Sequence, residues 1–584
     1  MLGAMDAIEA GSLGRNGLRH APRNTQCKER ISNTSTPSSP QQLLLLDSLP
    51  PELLADILEF LIPQPPEIGE TRPLSYEKLV PGEPWFEFTR CRRGLWSLCF
   101  ISRRFLAVAQ PLLYRTMAIL DEESMFLFFR TLTDRPDYGP WTRYLSCHLT
   151  LTRESVIRET RRAVGRLLRT FDSVVTEPAI VMEPIRSALN VMVCNLPVLS
   201  TRDGDFDEVP QVIMSFILMF LTKLETFLMQ VPICDDHVEY TSLFVKLEAI
   251  KNHFAACAAD DPAGVAPLIP LQKISTLLLQ GDPELLEHFE GDECNCEVPE
   301  VWGSQPRRYA PMFEYLPALT TLEVSTDDGA WVNVVEERRS FLQGGSTYPY
   351  LRGIRHIYLH NSVACPRNLF QVLLNAPDCQ TLYMTPRRDD AFDRGDPGDS
   401  THAHPEALDV ALTLHARNLR HLDIAWFDVY GFESLIGPEG RLASLPAMEQ
   451  LEKLCIQLAV LYGSAPAALE TPLAELLPPN LVELTLEDWW WFNLDVYGEM
   501  EDWGPVHKLS YYRQQREYRA NAIRMLAQFA GDFRDRMPKL EKVLLLVKIP
   551  YTWMVEEGIP IGFHFEDVKA AFRLKGVEFL VDEI

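Results

Sequence analysis

The sequence predicts an α/β fold: a small all-α module near the start, then a long array of parallel strands with helices outside. Three observations carry this expectation. Leucine occurs 81 times in 584 residues. Prolines outnumber glycines, 43 to 30, as expected of short elements that are repeatedly started and stopped. The phrase apolar-x-x-apolar-x-apolar recurs nine or ten times beyond about residue 118.

Residues 1–46 are rich in Ser, Asn, Thr, Gln and Gly (ISNTSTPSSPQQ) and lack periodicity, so a disordered lead is expected there. Order should begin at LDSLPPELLADILEFLIP. Leu53, Leu54, Ile57, Leu58 and Leu61 recur at helical spacing and form one apolar stripe. Pro50 and Pro51 suit a helix's first turn, Glu52 complements its positive end, and Pro63 should close it. Residues 63–94 then carry a dense run of prolines and read as an extended loop. A second helical stretch runs from Leu95 to Gln110, with Leu95, Leu98, Cys99, Phe105, Leu106 and Ala109 on one face and Pro111 at its end.

In the body from 118 to 584 the clearest copies of the phrase are LPALTTLEV (Leu319, Leu322, Val324) and ARNLRHLDI (Leu419, Leu422, Ile424). PAMEQLEKLCI (Leu451, Leu454, Ile456), PPNLVELTL (Leu481, Leu484, Leu486) and MPKLEKVLL (Leu540, Val543, Leu545) are further copies. Weaker copies start at Leu224, Ile274, Ile354 and Cys379, and the weakest is Tyr144, Cys147 and Leu149. The last two apolar positions, two residues apart, point to one face of a short strand. The first covers the strand's edge as the chain turns in. One such unit cannot bury its own apolar face, so neighbours must stack. Helical patterns at 154–171 and 241–258 lie between copies, and strand–helix alternation implies a parallel sheet. Consecutive starts are 25 to 59 residues apart, mostly longer than regular leucine-rich repeats, so the units should be irregular. An ordinary α/β domain with leucine-rich parallel strands is the alternative.

Charge narrows the function classes. There are 55 Lys+Arg against 81 Asp+Glu, a net charge of −26, which disfavours nucleic acid and anionic membranes as partners. Residues 1–46 hold five basic and three acidic residues, so the acidity belongs to residues 47–584. The longest largely apolar run, Val212–Leu221, is half the length of a membrane span. The first residues have acids where a secretory signal needs an apolar stretch, and the 12 cysteines show no paired spacing. Reduced thiols in a cytoplasmic or nuclear protein are expected.

Chemistry-bearing motifs are sparse. Cys294 and Cys296 lack a second pair for zinc, and His402 and His404 lie in a loop-like stretch, so no metal or other cofactor is expected. Neither a nucleophile elbow nor a phosphate-cradling glycine loop is present, and no catalytic residue is expected. Trp489, Trp490, Trp491 and Trp503 form an aromatic cluster among acids. Alternate side chains of an extended segment face opposite ways, so at least one of the three consecutive tryptophans should be exposed, as a candidate target contact.

The stretch from Leu49 to about Met117 resembles an F-box. The family opens with Leu-Pro-x-Glu-Leu/Ile and an amphipathic helix, matched by LPPELLADILEFL. LWSLCFISRRFLAVAQPLLYRTM resembles the closing helices of the fungal type, with Pro111 to Arg115 as its tail. The loop at 63–94 is longer than the family's usual connection. The resemblance covers residues 47–117, and residues 118–584 resemble leucine-rich-repeat receptors only loosely. It implies a subunit that docks on the Skp adaptor, and through it on cullin, while the repeats hold a target protein for ubiquitination. On that basis Leu49, Pro50, Leu53, Ile57, Leu58, Leu98 and Phe105 are the expected adaptor contacts. The acidity of the body adds the expectation of a basic target. An F-box scaffold without a ubiquitination role, or an unrecognised hydrolase, is the alternative.

Overall fold

The computed structural model describes residues 49–62, 84–119, 122–148, 208–231, 271–281, 313, 316–325, 351–362, 366–386, 406–424, 442–462, 471–488, 520–547 and 565–583. The expected disordered lead, the helical patterns at 154–171 and 241–258, and all four singled-out tryptophans lie outside these residues. So do Cys294, Cys296, His402 and His404. The chain divides into two compact units, Met1–Leu228 with Glu239–Lys273, and Met229–Val238 with Ile274–Ile584. Both are α/β, and among the described residues there are twelve strands. Within each unit, neighbours in the sheet are neighbours in the chain.

Among the described residues, the first unit begins with three helices, α1 (Pro51–Glu59), α2 (Pro84–Leu98) and α3 (Arg103–Arg115). Pro50 caps α1 and a proline fills its first turn, where a missing N–H costs nothing. Of the expected loop 63–94, residues 84–94 belong to α2, and residues 63–83 lie outside the described residues. The expected helix Leu95–Gln110 is divided in two. Ser102 ends the break: its side chain accepts a hydrogen bond from the Phe105 N–H at 3.2 Å and starts a new helix. Pro111 does not terminate α3, which continues to Arg115. An interior proline costs about 3 kcal/mol. Burial of Leu113 and Tyr114 in the following turn offsets that cost.

The chain passes straight from α3 into β1 (Thr116–Ile119), which pairs in parallel with β2 (Tyr144–His148). α4 (Glu122–Asp134) and a 3-10 turn (Pro136–Trp141) make the crossover. Gln110 on α3 donates to the Tyr138 hydroxyl at 2.8 Å, and Tyr138 stacks on Trp141 at 4.5 Å. These contacts tie the helices to the first crossover. α5 (Glu208–Phe220) precedes β3 (Thr226–Val231), whose first N–H groups reach the Arg143 carbonyl. The weakest sequence copy is two residues out of place. Leu145 and Cys147 are the inward pair, in register with Met117 and Ile119, while Tyr144 and Ser146 take the pleat's other direction, and Leu149 lies outside the described residues.

In the second unit β4 (Thr276–Gly281), β5 (Thr321–Ser325), β6 (His356–Ser362) and β7 (Thr381–Pro386) pair successively in parallel. β8 (His421–Ile424), β9 (Lys453–Gln457), β10 (Glu483–Asp488), β11 (Lys542–Val547) and β12 (Glu578–Glu583) continue the ladder in the same sense. α6 (Pro366–Asn375) and α7 (Glu406–His415) return the chain between strands in the middle of the unit. Two short helices come next, α8 (Leu458–Tyr462) and α9 (Leu473–Leu476), and α10 (Glu566–Leu574) leads into the last strand.

The repeated phrase has a repeated geometry. Its first apolar residue closes a turn: the N–H groups of Leu319, Ile354, Cys379, Leu419, Leu451 and Leu540 each donate to the carbonyl three residues earlier. The chain then enters its strand over a shared acceptor. Arg420 and His421 both donate to Gln380, Glu452 and Lys453 to Arg420, and Val482 and Glu483 to Glu452. The two following apolar positions fall in register from strand to strand, as with Leu382, Leu422, Leu454, Leu484 and Val543, all buried. Each unit thus covers the apolar row of its neighbour, which is how short strands acquire a core. Phe529, Phe533 and Phe572 pack together near the last strand, and Phe572 stacks on Phe579 at 5.0 Å.

Candidate functional site

Among the described residues, each unit carries a surface that its own packing leaves incomplete. In the helical module the stripe of α1 is wider than its interior can accept. Consecutive helical residues point about 100° apart, so Leu54 and Leu58 form one row and Leu53 and Ile57 the next. Leu54 and Leu58 join Leu95, Phe105, Ala109 and Leu113 in the module's core. Leu53 and Ile57 remain 49% and 44% exposed.

The expected adaptor contacts therefore separate. Leu58 and Phe105, at 3% and 2% exposure, belong to the module's own core. Both sit on the row that the three helices close over. Leu98 is half-buried against that core. Leu49 is half-buried, and its carbonyl accepts from the Arg104 guanidinium. Pro50, Leu53 and Ile57 face solvent. Sequence reasoning missed Phe60, at 89% exposure, together with Phe100 and Ile101 in the break between α2 and α3. Leu106 is exposed too, although it falls on the predicted apolar face. A usable signal existed, since Phe100 and Ile101 are apolar residues at a helix break, where no core row continues. Arg115 and Glu59, both exposed, pair at 3.2 Å across α3 and α1.

In the second unit the alternate strand positions form the opposite face of the sheet, and register decides who meets whom there. Glu323, Tyr358, Tyr383, Asp423 and Cys455 succeed one another across β5 to β9. On the next row Gln457 of β9 is level with Glu487 of β10. The Tyr383 and His360 rings lie 5.2 Å apart, and Tyr358 is 6.1 Å from Tyr383. The Glu323 carboxylate is 3.8 Å from His360 Nε2, a contact that is an ion pair only when the imidazole is protonated. Burial lowers the affinity of His360 for that proton.

Electrostatics single out the middle of this face. Burial raises Asp423 to about 6. Burial and then the Asp423 charge raise Glu487 to about 7. The Cys455 thiol lies between the two carboxyls and donates to Glu487 Oε1 at 3.6 Å. Burial and the two acids push that thiol well above its ordinary range. The nucleophilic form of cysteine is the thiolate, so this setting works against thiol catalysis. Tyr383 is held at about 12, first by burial and then by Asp423. Gln457, 1% exposed, donates from Nε2 to Glu487 Oε2 at 3.5 Å, while its Oε1 has no partner.

Among the described residues no group of three His, Cys, Asp or Glu side chains is arranged to hold a metal ion. Among them, too, no helix is long and apolar enough to cross a membrane. No family model matches the chain, and no curated protein matches it.

Proposed function

We propose that the chain is the substrate-recognition subunit of a Skp–cullin–F-box type ubiquitin ligase, acting in the cytoplasm or nucleus. Its helical module docks on the Skp adaptor, which brings cullin, and its repeat body holds a target protein. The chain itself performs no catalysis. Its role is to position the target near a ubiquitin-conjugating enzyme. The observation that carries this reading is the surplus of apolar side chains on a three-helix module. Leu54, Leu58, Leu95 and Phe105 supply its core, yet Leu53, Ile57, Phe60, Phe100, Ile101 and Leu106 stay outside it. So many large apolar groups on so small a module favour burial against a partner protein. The LPPELLADILEFL and SRRF segments add the resemblance to an F-box, and the parallel repeat sheet supplies a broad face for a second protein.

The test is capture of purified Skp adaptor and cullin by the full chain. Wild type is expected to retain both. Leu53→Asp with Ile57→Asp, at positions already half exposed, is expected to lose adaptor while its circular dichroism stays unchanged. Truncating one true contact leucine should cost about 2–4 kcal/mol of binding. Retention of adaptor without cullin supports the alternative, an F-box scaffold with no ubiquitination role. A chain that captures neither overturns both readings.

A further inference from the structure

The proposed function leaves open what kind of target the repeat face accepts, and the centre of that face carries an answer. Asp423 on β8 and Glu487 on β10 stand on either side of Cys455 on β9, and both engage its thiol. Among the described residues neither carboxyl has a lysine, arginine or histidine partner. One row earlier, Lys453 is held by Glu483 at 2.8 Å, and burial, then the Lys453 charge, lowers the proton affinity of His421 beside it. A second and independent feature is Gln457. Its amide is almost wholly buried and turns its NH2 toward Glu487, as a carboxylate requires, and its carbonyl oxygen is left with no donor. Buried acceptors are nearly always satisfied, so this one points to a donor that arrives from outside the chain. Tyr383, in register beside Asp423, provides an aromatic wall next to the acids.

We propose that Asp423, Glu487 and Gln457 receive the guanidinium of one arginine side chain of the target, lying beside the Tyr383 ring. The proposal rests on the reading of the repeat body as the part that holds the target. Arginine fits the inventory better than lysine for two reasons. It offers five N–H donors in a fixed plane, enough for two carboxylates and one amide oxygen, whereas an ammonium offers three. Its flat, weakly hydrated group also lies against an aromatic ring at little desolvation cost. The raised proton affinities of both carboxyls fit a site short of positive charge, which a bound guanidinium supplies. In register on β10 and β11, Thr485 is level with Cys455 and Leu546 with Glu487, and both are uncharged.

The test uses the full chain and a fluorescein-labelled peptide of alternating arginine and glycine, with lysine and citrulline versions of the same length. Citrulline keeps the shape and removes the charge. Fluorescence anisotropy at physiological salt is expected to show the arginine peptide binding at least about tenfold more tightly than the citrulline peptide, and more tightly than the lysine peptide. Asp423→Asn and Glu487→Gln, both near-isosteric, are each expected to weaken arginine binding about fivefold or more. Gln457→Leu is expected to reduce the preference for arginine over lysine, and Glu449→Gln, an exposed acid elsewhere, to change nothing. No binding by wild type, equal binding of the citrulline or lysine peptide, or an equal loss in Glu449→Gln would each overturn the proposal. Adaptor capture by the same preparations separates the two readings. Loss of peptide selectivity with adaptor capture intact sinks this inference alone. Selective peptide binding without adaptor capture sinks the ligase reading and leaves the arginine site standing.

Discussion

Replacing Glu487 by glutamine preserves the shape of β10 and removes one proton equilibrium, so its effect on stability should depend on pH in a way that can be worked out. Burial and the Asp423 charge carry this carboxyl from its ordinary 4.5 to about 7. The folded chain therefore binds the proton more tightly than the unfolded chain does. The stabilisation linked to that proton is complete below about pH 4.5 and is lost as pH rises through about 7. A carboxyl displaced from 4.5 to about 7 loses about 3 kcal/mol once ionised. Glu487 is only 7% exposed, so solvent screening takes little from this figure. Glutamine is neutral throughout, so Glu487→Gln should be about 3 kcal/mol more stable than wild type at pH 8 and no more stable at pH 4.5. Part of the effect is shared with Asp423, and adding Asp423→Asn should give less than twice the gain. Thermal unfolding of the full chain at pH 4.5, 6, 7 and 8 and constant ionic strength measures this directly. A pH-independent difference, or a variant less stable than wild type at pH 8, would refute the reasoning.

Neighbouring residues of α1 should behave oppositely: Leu58→Ala should cost about 2–5 kcal/mol of stability, and Ile57→Ala, half exposed, less than about 1 kcal/mol. Chemical denaturation reads both, and equal costs would contradict the two-row description of the helix. Ser102→Ala should cost about 1 kcal/mol, because the cap bond to the Phe105 N–H is lost, and hydrogen exchange should show faster opening of the first turn of α3. Gly139→Ala places a Cβ 2.2 Å from the Phe220 carbonyl oxygen and 2.8 Å from its carbonyl carbon, both backbone atoms. It should destabilise the first unit by about 1–3 kcal/mol, seen as lost exchange protection in α5 while β8 to β11 keep theirs.

The apolar rows were legible because a short parallel strand exposes a simple alternation. Leu481, Leu484 and Leu486 could be assigned to an edge and a face from spacing alone, and all three are buried. The misplaced copy shows the limit of that logic. Thr142 holds the edge position before β2 and is fully buried, but a threonine does not register as apolar. Tyr144 does register, although it belongs to the other face. β1 was hidden for a different reason: its edge residue, Tyr114, lies in the last turn of α3. The division of the second helix was signalled by Ser102, a strong cap, but an apolar stripe running across it outweighed that local signal. Nothing in the sequence distinguishes Asp423 and Glu487 from the other carboxylates. They lie in separate repeats, and only the register of β8, β9 and β10 brings them to the same thiol.

The two surfaces share a physical origin. Stacked repeats settle their inward positions completely, because each apolar residue is covered by its counterpart one strand on. The outward positions have no such counterpart, yet the same register brings them together, so any chemistry placed there is held on a rigid ladder. A rigid ladder keeps Asp423 and Glu487 beside each other even though both are raised in proton affinity by burial there. Folding alone would favour a neutral pair at these positions. The helical module presents the apolar version of the same conflict, since a helix that needed only its own core would not carry Leu53 and Ile57 beside Leu54 and Leu58. In both places the sequence departs from what its own fold requires, and such departures are where binding sites are to be sought. The two departures differ in kind, apolar surplus on the helices and unneutralised acid on the strands. A single partner matching one would be poorly matched to the other, which is the physical case for two different binding proteins on this chain.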